Sequence, residues 1–304
     1  MTISTSNFSA DLLPIVKKWF GDTAPNLPSI YDKIFTVEKA DSRAYEVDAM
    51  VSPLSTLQVK EESNALTFDI SKQMYTPRYT HTTYSLGFRI TLEMMEDGDA
   101  MKNAKRFTEQ LKLSAVRTRE VISAAVLNNA FTSGYTQAGG DGSILCVSSH
   151  AARSGTQSNV LATAADLSEA SLEQALIDIR NTKNDRGDRI NVQAVKLVVP
   201  AALEFEAHRI LNSPLRVTTA DNDLNAVKTL GKVSGGIVVN PYLTDSDAWF
   251  LVTDAPDGLK FKNRKDPEID SDNEFHTKDA LFSVLMRCSV GWSDFRGVYG
   301  TPGA

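Results

Sequence analysis

The longest regular pattern of apolar positions lies between residues 99 and 131. Ala104, Phe107, Leu111, Ala115, Thr118, Ile122 and Ala125 recur there at three- and four-residue steps, the period of one face of an α-helix. Lys102, Lys105, Arg106, Lys112, Arg117 and Arg119 flank the stripe, Asp97 or Asp99 can cap its start, and Gly134 can end it. At roughly 1.5 Å per residue such a helix spans about 50 Å, long enough to serve as a spine. Upstream the period changes to two. The stretch TFDISKQMYTPRYTHTTYSLGFRITLEMM alternates for much of its length and is rich in Thr, Tyr, Phe and Ile, which predicts β-structure over residues 51–95. Its alternate positions include Lys72, Gln73, Thr76, Arg78, Thr80, His81 and Thr82, too polar for half of a core. The pattern predicts a two-stranded ribbon projecting from the body, and a lone ribbon is marginal in water unless something covers it.

Residues 1–50 read as an arm with little core of its own. Asp11 to Phe20 predicts one short amphipathic helix carrying Leu12, Leu13, Val16, Trp19 and Phe20, and Pro25 and Pro28 follow it. The exposed aromatic anchors of such an arm suit a neighbouring surface. Beyond a Gly-, Ser- and Thr-rich stretch at 134–165 the sequence becomes compact. DLSEASLEQALIDIRNTKN predicts a capped helix, AVKLVVP a buried strand, and AALEFEAHRILN a second helix started by Pro200. GGIVVNPYL and AWFLVTD predict two short strands, and ALFSVLMRCSVGWSDFRGVYG one or two terminal strands. Helices and strands in unequal blocks make the fold class α+β.

Charge changes the picture by exclusion. The 304 residues carry a net charge of -6, with acidic and basic side chains interspersed, so no broad basic face is expected to grip nucleic acid. The two cysteines, Cys146 and Cys288, lie outside any CxxC, and the four histidines show no zinc spacing. Free thiols in a reducing cytoplasm are therefore expected. No apolar run reaches membrane-spanning length, and the first residues lack a secretory pattern.

The search for chemistry is mostly negative. GxGxxG, GxxxxGK[ST] and GxSxG are absent. Gly139-Gly140-Asp141-Gly142 and Gly231 to Gly236 lack the strand–helix context and spacing of a phosphate cradle. Cys146 and His150 lie four apart in LCVSSH, which invites a dyad, but a loop pair this close reads as packing. KDPEIDSDNEF reads as a solvated acidic loop, since it lacks the glycine an EF-hand needs at its sixth position. No catalytic, cofactor-binding or metal residue is predicted. What stands out is an arm without a core, a polar ribbon without a sheet and a long helix beside a compact lobe. A subunit completed by its neighbours explains all three.

With those residues in view the chain resembles the tailed-bacteriophage major capsid proteins of HK97-like fold, and within them the Mu-like major head subunit group. The resemblance rests on DGSILCVSSH (141–150), SNVL (158–161), the helix LSEASLEQAL, LVVPAALEFEAHRIL (197–211), VVNPYL (238–243), DAWFLVTD (247–254) and GWSDFRGVYG. It implies an N-terminal arm at 1–50 and an extended β-ribbon loop with peripheral-domain strands at 51–95. A spine helix and peripheral domain follow at 96–149, a compact axial domain at 150–255, and return strands at 256–304. The ribbon, at about 54–90, would lie over an adjacent subunit, and 213–226 would sit near the capsomer axis. Candidate inter-subunit contacts are Trp19, Phe20, Tyr31, Lys60, Glu61, Glu62, Arg78, Tyr79, Arg216 and Asp221.

The implied function is a structural subunit that assembles with itself into pentamers and hexamers, forming an icosahedral shell around double-stranded DNA that it does not read by sequence. Implied partners are a separate scaffolding protein, because no room remains for a scaffold-like N-terminal segment, together with a portal and a decoration protein. Assembly would take place in the host bacterial cytoplasm, with no membrane and no cofactor involved. No Lys–Asn cross-link is predicted, although Lys60 and Lys72 fall on the ribbon. The alternatives are an encapsulin-like nanocompartment enclosing a cargo enzyme, and an enzyme with a pocket in the 165–255 lobe.

Overall fold

A computed structural model describes residues 8–22, 29–96, 100–133, 140–215, 224–274 and 276–304. Helices α1 (Phe8–Asp22) and α2 (Tyr31–Ile34) lead into strands β1 (Thr36–Lys39) and β2 (Tyr45–Val47). After an extended loop come β3 (Arg78–Thr80), β4 (Thr82–Ile90), the short helix α3 (Leu92–Glu96) and the long helix α4 (Ala100–Asn128). A small hairpin, β5 (His150–Ala152) and β6 (Gly155–Gln157), precedes α5 (Glu169–Arg180), β7 (Ala194–Val199), α6 (Glu204–Asn212) and α7 (Ala226–Thr229). Strands β8 (Ile237–Val239), β9 (Trp249–Thr253), β10 (Leu259–Asn273), β11 (Ala280–Trp292) and β12 (Val298–Thr301) complete the chain. Among the described residues no helix is long and apolar enough to cross a membrane.

Two four-stranded sheets carry the body, one ordered β1-β10-β11-β4 and the other β12-β9-β7-β8. In the first, alternation along β11 points Phe282, Val284, Met286 and Cys288 inward, and β4 pairs antiparallel with it from Ile90 to Thr82. The second sheet packs Leu197, Val199, Trp249 and Leu251 against Leu172, Ala175 and Ile179 of α5 and Ala207 and Ile210 of α6. Ser168 caps α5, accepting from the Ser171 backbone N–H in a capping box. Helix α4 joins two cores. Ala104, Leu111 and Ala115 pack with Phe282 and Val284, whereas Val126, Leu127 and Ala130 pack with Phe250, Phe261 and Trp292.

Three expectations need correction. The arm does contribute to the core: Val16, Ile34 and Phe35 are buried, and Trp19 and Phe20 pack against the cluster of α4 and β11. Their partners lie far away in sequence, so no local pattern shows them. The projecting segment is shorter than 54–90, because β4 is built into the body sheet, and beyond the isolated Val51–Gln73 bridge its arms form no strands, so it is an extended loop and not a paired ribbon. The acidic run is not a loop but the outer half of β10. Glu268 to Asn273 pair with β11, irregularities around Arg264 to Glu268 absorb Pro267, and Ile269 is the buried anchor. The apolar alternation that selects this conformation belongs to β11, not to the acidic strand itself. The expected caps Asp97, Asp99 and Gly134 lie outside the described residues.

Candidate assembly interface

The extended loop begins where the backbones of 50–52 and 71–75 meet. Ser52 N–H donates to Lys72 O, Met74 N–H to Met50 O, and Val51 bridges Gln73. One step outward, Asp69 clips the two arms together. Its Oδ2 accepts from the backbone N–H and the hydroxyl of Ser55, both at 2.8 Å. These bonds to Ser55, with Arg186 beside the group, hold the Asp69 carboxyl well below the usual carboxylate range. Arg186 of the body also reaches Asp69 Oδ2, at 2.7 Å. Beyond that clip the arms carry Leu57, Val59, Leu66 and Phe68 largely in water, with exposures of 101%, 95%, 67% and 88%. Lys60, Glu61 and Glu62 occupy the tip, where Asn64 N–H closes a turn onto Glu61 O.

Beneath the loop's base lies a charge cluster that holds the strand β2 segment down. Lys260 Nζ sits 2.6 Å from Asp257 and 2.9 Å from Asp48, while Lys262 Nζ sits 2.7 Å from Asp48 and 3.1 Å from Glu46. Ser293 Oγ donates to Asp48 and bonds the Tyr79 hydroxyl at 2.7 Å. Burial alone would raise the Asp48 carboxyl; its bonds to Lys262, Lys260 and Ser293 outweigh that and hold it below its ordinary range. His81, bonded to Ser289 at 3.0 Å, is pushed down by burial, with Arg264, Arg287 and Lys262 adding to the effect and Glu46 opposing it.

The predicted contact residues separate. Lys60, Glu61 and Glu62 come together at the exposed loop tip, and Arg78 lies exposed with its guanidinium 3.8 Å from the centre of the Tyr45 ring. Trp19 and Phe20 are half-buried in their own chain, as is Tyr31, whose ring centre lies 4.8 Å from that of Phe261. Tyr79 is fully buried, so its side chain offers a neighbour no surface. Arg216 and Asp221 lie outside the described residues. Asp48, Asp69, Arg186 and Asn159 went unnoticed in the sequence, because nothing local marks a polar residue whose partner lies 100 or more positions away.

Cys146 and His150, four apart in sequence, are both buried. Burial pushes the Cys146 thiol up. His150 bonds Asp141 at 2.7 Å and Asn159 at 3.1 Å and stacks on Phe295, so it is spent on packing. Among the described residues, no group of three or more His, Cys, Asp or Glu is set to hold a metal ion. A hollow of about 430 Å³ between α5 and α7 is mostly apolar, bordered by Leu176, Ile177, Val227 and Leu230, with Glu173, Arg180 and Lys232 at its margin.

A sequence model of the family described as phage capsid protein matches residues 75–301, well over half the chain. The chain belongs to that phage capsid family. This capsid protein has no match among curated proteins. Its fold is shared with solved capsids. The capsid of an empty GTA particle is 12% identical, with 96% of this chain and 97% of that one covered and a TM-score of 0.55. The capsid of Myoviridae phage XM1 is 9% identical, covering 93% and 94%, with a TM-score of 0.52. The procapsid of bacteriophage JBD30 is 14% identical, covering 99% and 76%, with a TM-score of 0.51. The architecture is HK97-like, and the protein is a major capsid protein.

Proposed function

We propose that this major capsid protein is of the Mu-like head-subunit type and forms pentamers and hexamers of an icosahedral shell around double-stranded phage DNA. The observation that carries this reading is the extended loop at about 53–73, whose large apolar side chains stand in water. Apolar surface of this kind gains about 25 cal/mol per Å² when covered. A neighbouring copy is the cover that every subunit of a shell has. Many such modest contacts, repeated around each capsomer, sum to a stable particle. In this reading residues 150–255 surround the capsomer centre and the sheet of β10 and β11 forms the periphery. The net charge of -6 suits a wall that encloses DNA without gripping it. A separate scaffolding protein, a portal and a decoration protein are its partners, and assembly takes place in the bacterial cytoplasm. The protein works by geometry and not by catalysis.

The test replaces residues 56–67 with a short Gly-Ser linker, sparing β4. The subunit should stay folded and soluble yet close no shells when expressed with its genomic neighbours and viewed by negative-stain microscopy. Normal particles from this variant would refute the role given to the loop. Wild-type shells holding a cargo enzyme and no DNA would favour the encapsulin-like alternative.

A further inference from the structure

The loop does not simply hang from its base. A hollow of about 570 Å³ separates its root, at Met50, Val51, Pro53 and Met74, from the body segment at Asn184, Asp185 and Ile190. Arg186, next to Asp185 in that body segment, ties the loop to the body further out. Its Nη1 lies 2.7 Å from Asp69 Oδ2, and its Nη2 donates to Ile70 O at 2.9 Å. Among the described residues these are the polar ties between the loop beyond its base and the lobe that follows α4.

The residue that makes them is itself held firmly. Asn184 Oδ1 accepts from the backbone N–H groups of Arg186 and Asp188, at 2.8 and 2.9 Å. Asp185 is 7% exposed and accepts from the backbone N–H of Arg153 and of Ser154, at 2.8 and 2.9 Å. Gly187 turns the chain at φ +98°, a conformation that favours glycine, with Ser154 close beside it. At the loop end, Asp69 grips Ser55 on the opposite arm, so a pull on Asp69 moves both arms together.

We propose that Arg186 is a positioning residue for assembly, setting the direction in which the extended loop leaves the body and hence where it meets its neighbour. The last step rests on the reading that the loop crosses onto an adjacent subunit. The ion pair is only partly exposed and lies near the surface, where such pairs add little to stability, but its mechanical leverage is larger. Nine extended residues per arm reach about 30 Å. A swing of about 15° at the root therefore moves the tip by about 8 Å, more than one strand spacing. An arginine fork, which satisfies two acceptors in one plane, fixes such an angle where a lysine fixes only a distance.

Spin labels at Lys60→Cys and Ser246→Cys report the angle by pulsed electron resonance on the unassembled subunit; both native thiols are buried. The wild type should give one narrow distance distribution. Arg186→Gln and Asp69→Asn should each broaden it by about 8 Å, with Arg186→Lys between, while the melting temperature stays within about 2 °C of wild type. The unlabelled variants should lose most closed shells, with partial recovery in Arg186→Lys. An unchanged distribution in both Arg186→Gln and Asp69→Asn overturns the strut, whichever way the loop-replacement experiment falls. Broadened distances with normal shells overturn its role in assembly. Asp69→Asn changes a solvent-exposed residue and keeps the test open should Arg186→Gln not fold.

Discussion

Asn159 is a single side chain on which three segments converge, and its removal should be costly. It is 4% exposed. Its Nδ2 donates to Leu145 O at 2.7 Å, Val298 O at 3.0 Å and Phe295 O at 3.3 Å. Its Oδ1 accepts from Val147 N–H at 2.9 Å and faces His150 Nε2 at 3.1 Å. Asn159→Ala strands several of these groups away from water. Each buried orphan costs about 1–3 kcal/mol, but the weaker donation to Phe295 and the strand bonds available to Val298 cut the number that count to about two. The expected loss is about 4 kcal/mol, at the upper end of single substitutions, and a large share of a domain's usual 5–15 kcal/mol, roughly. Urea unfolding of the unassembled subunit, followed by far-ultraviolet circular dichroism, measures it; a parallel melt should fall by roughly 8 °C. Asn159→Asp keeps the acceptor but turns a carboxylate toward three carbonyl oxygens, so it should be at least as damaging. A loss below about 1 kcal/mol in the alanine variant, or a well-tolerated aspartate, would sink the claim that the amide ties these segments together.

Two further outcomes concern pH. The Asp48 carboxyl is held below its unfolded value of 3.8. Its contribution is therefore complete above about pH 4 and is lost as pH falls through and below that value. Asp48→Asn should be less stable at neutral pH and show a shallower acid slope, and equal slopes in acid titrations of the two proteins would count against the cluster. The His81 ring is pushed below its unfolded value of 6.5, so the unfolded state takes up the proton first, and stability should decline as pH falls below about 6.5. His81→Gln should flatten that part of a stability–pH curve, and an unaltered curve would assign the slope to other groups.

What the sequence revealed, and what it hid, follow one physical rule. The long helix, the capped α5 helix and the alternation of β11 were legible because each announces itself within a dozen residues. Strand β10 was misread because its outer half borrows its conformation from β11: one buried isoleucine amid acids carries no periodic signal. The arm was misread because Val16 and Phe35 meet their partners 70 or more positions away. The polar alternate positions that suggested a projecting ribbon lie mostly at the root of the loop and in β3 and β4, whereas the exposed arms carry Leu57, Val59, Leu66 and Phe68, and neither these nor the loop's anchors were legible. Asp69, Arg186 and the Asp48–Lys262 pair are ordinary surface residue types until the fold brings them together.

Helix α4 divides the molecule mechanically. One end is embedded in the core shared with β11 and Phe88, the other in the core shared with Phe261 and Trp292. A close-packed rod clamped at both ends resists bending, so the body carries load as one stiff block. Compliance is left to the parts outside that clamp, and in the extended loop to the arms beyond the Asp69–Arg186 tie. In an assembly of such units strain falls on the segments at their edges, and the bodies behave as rigid plates.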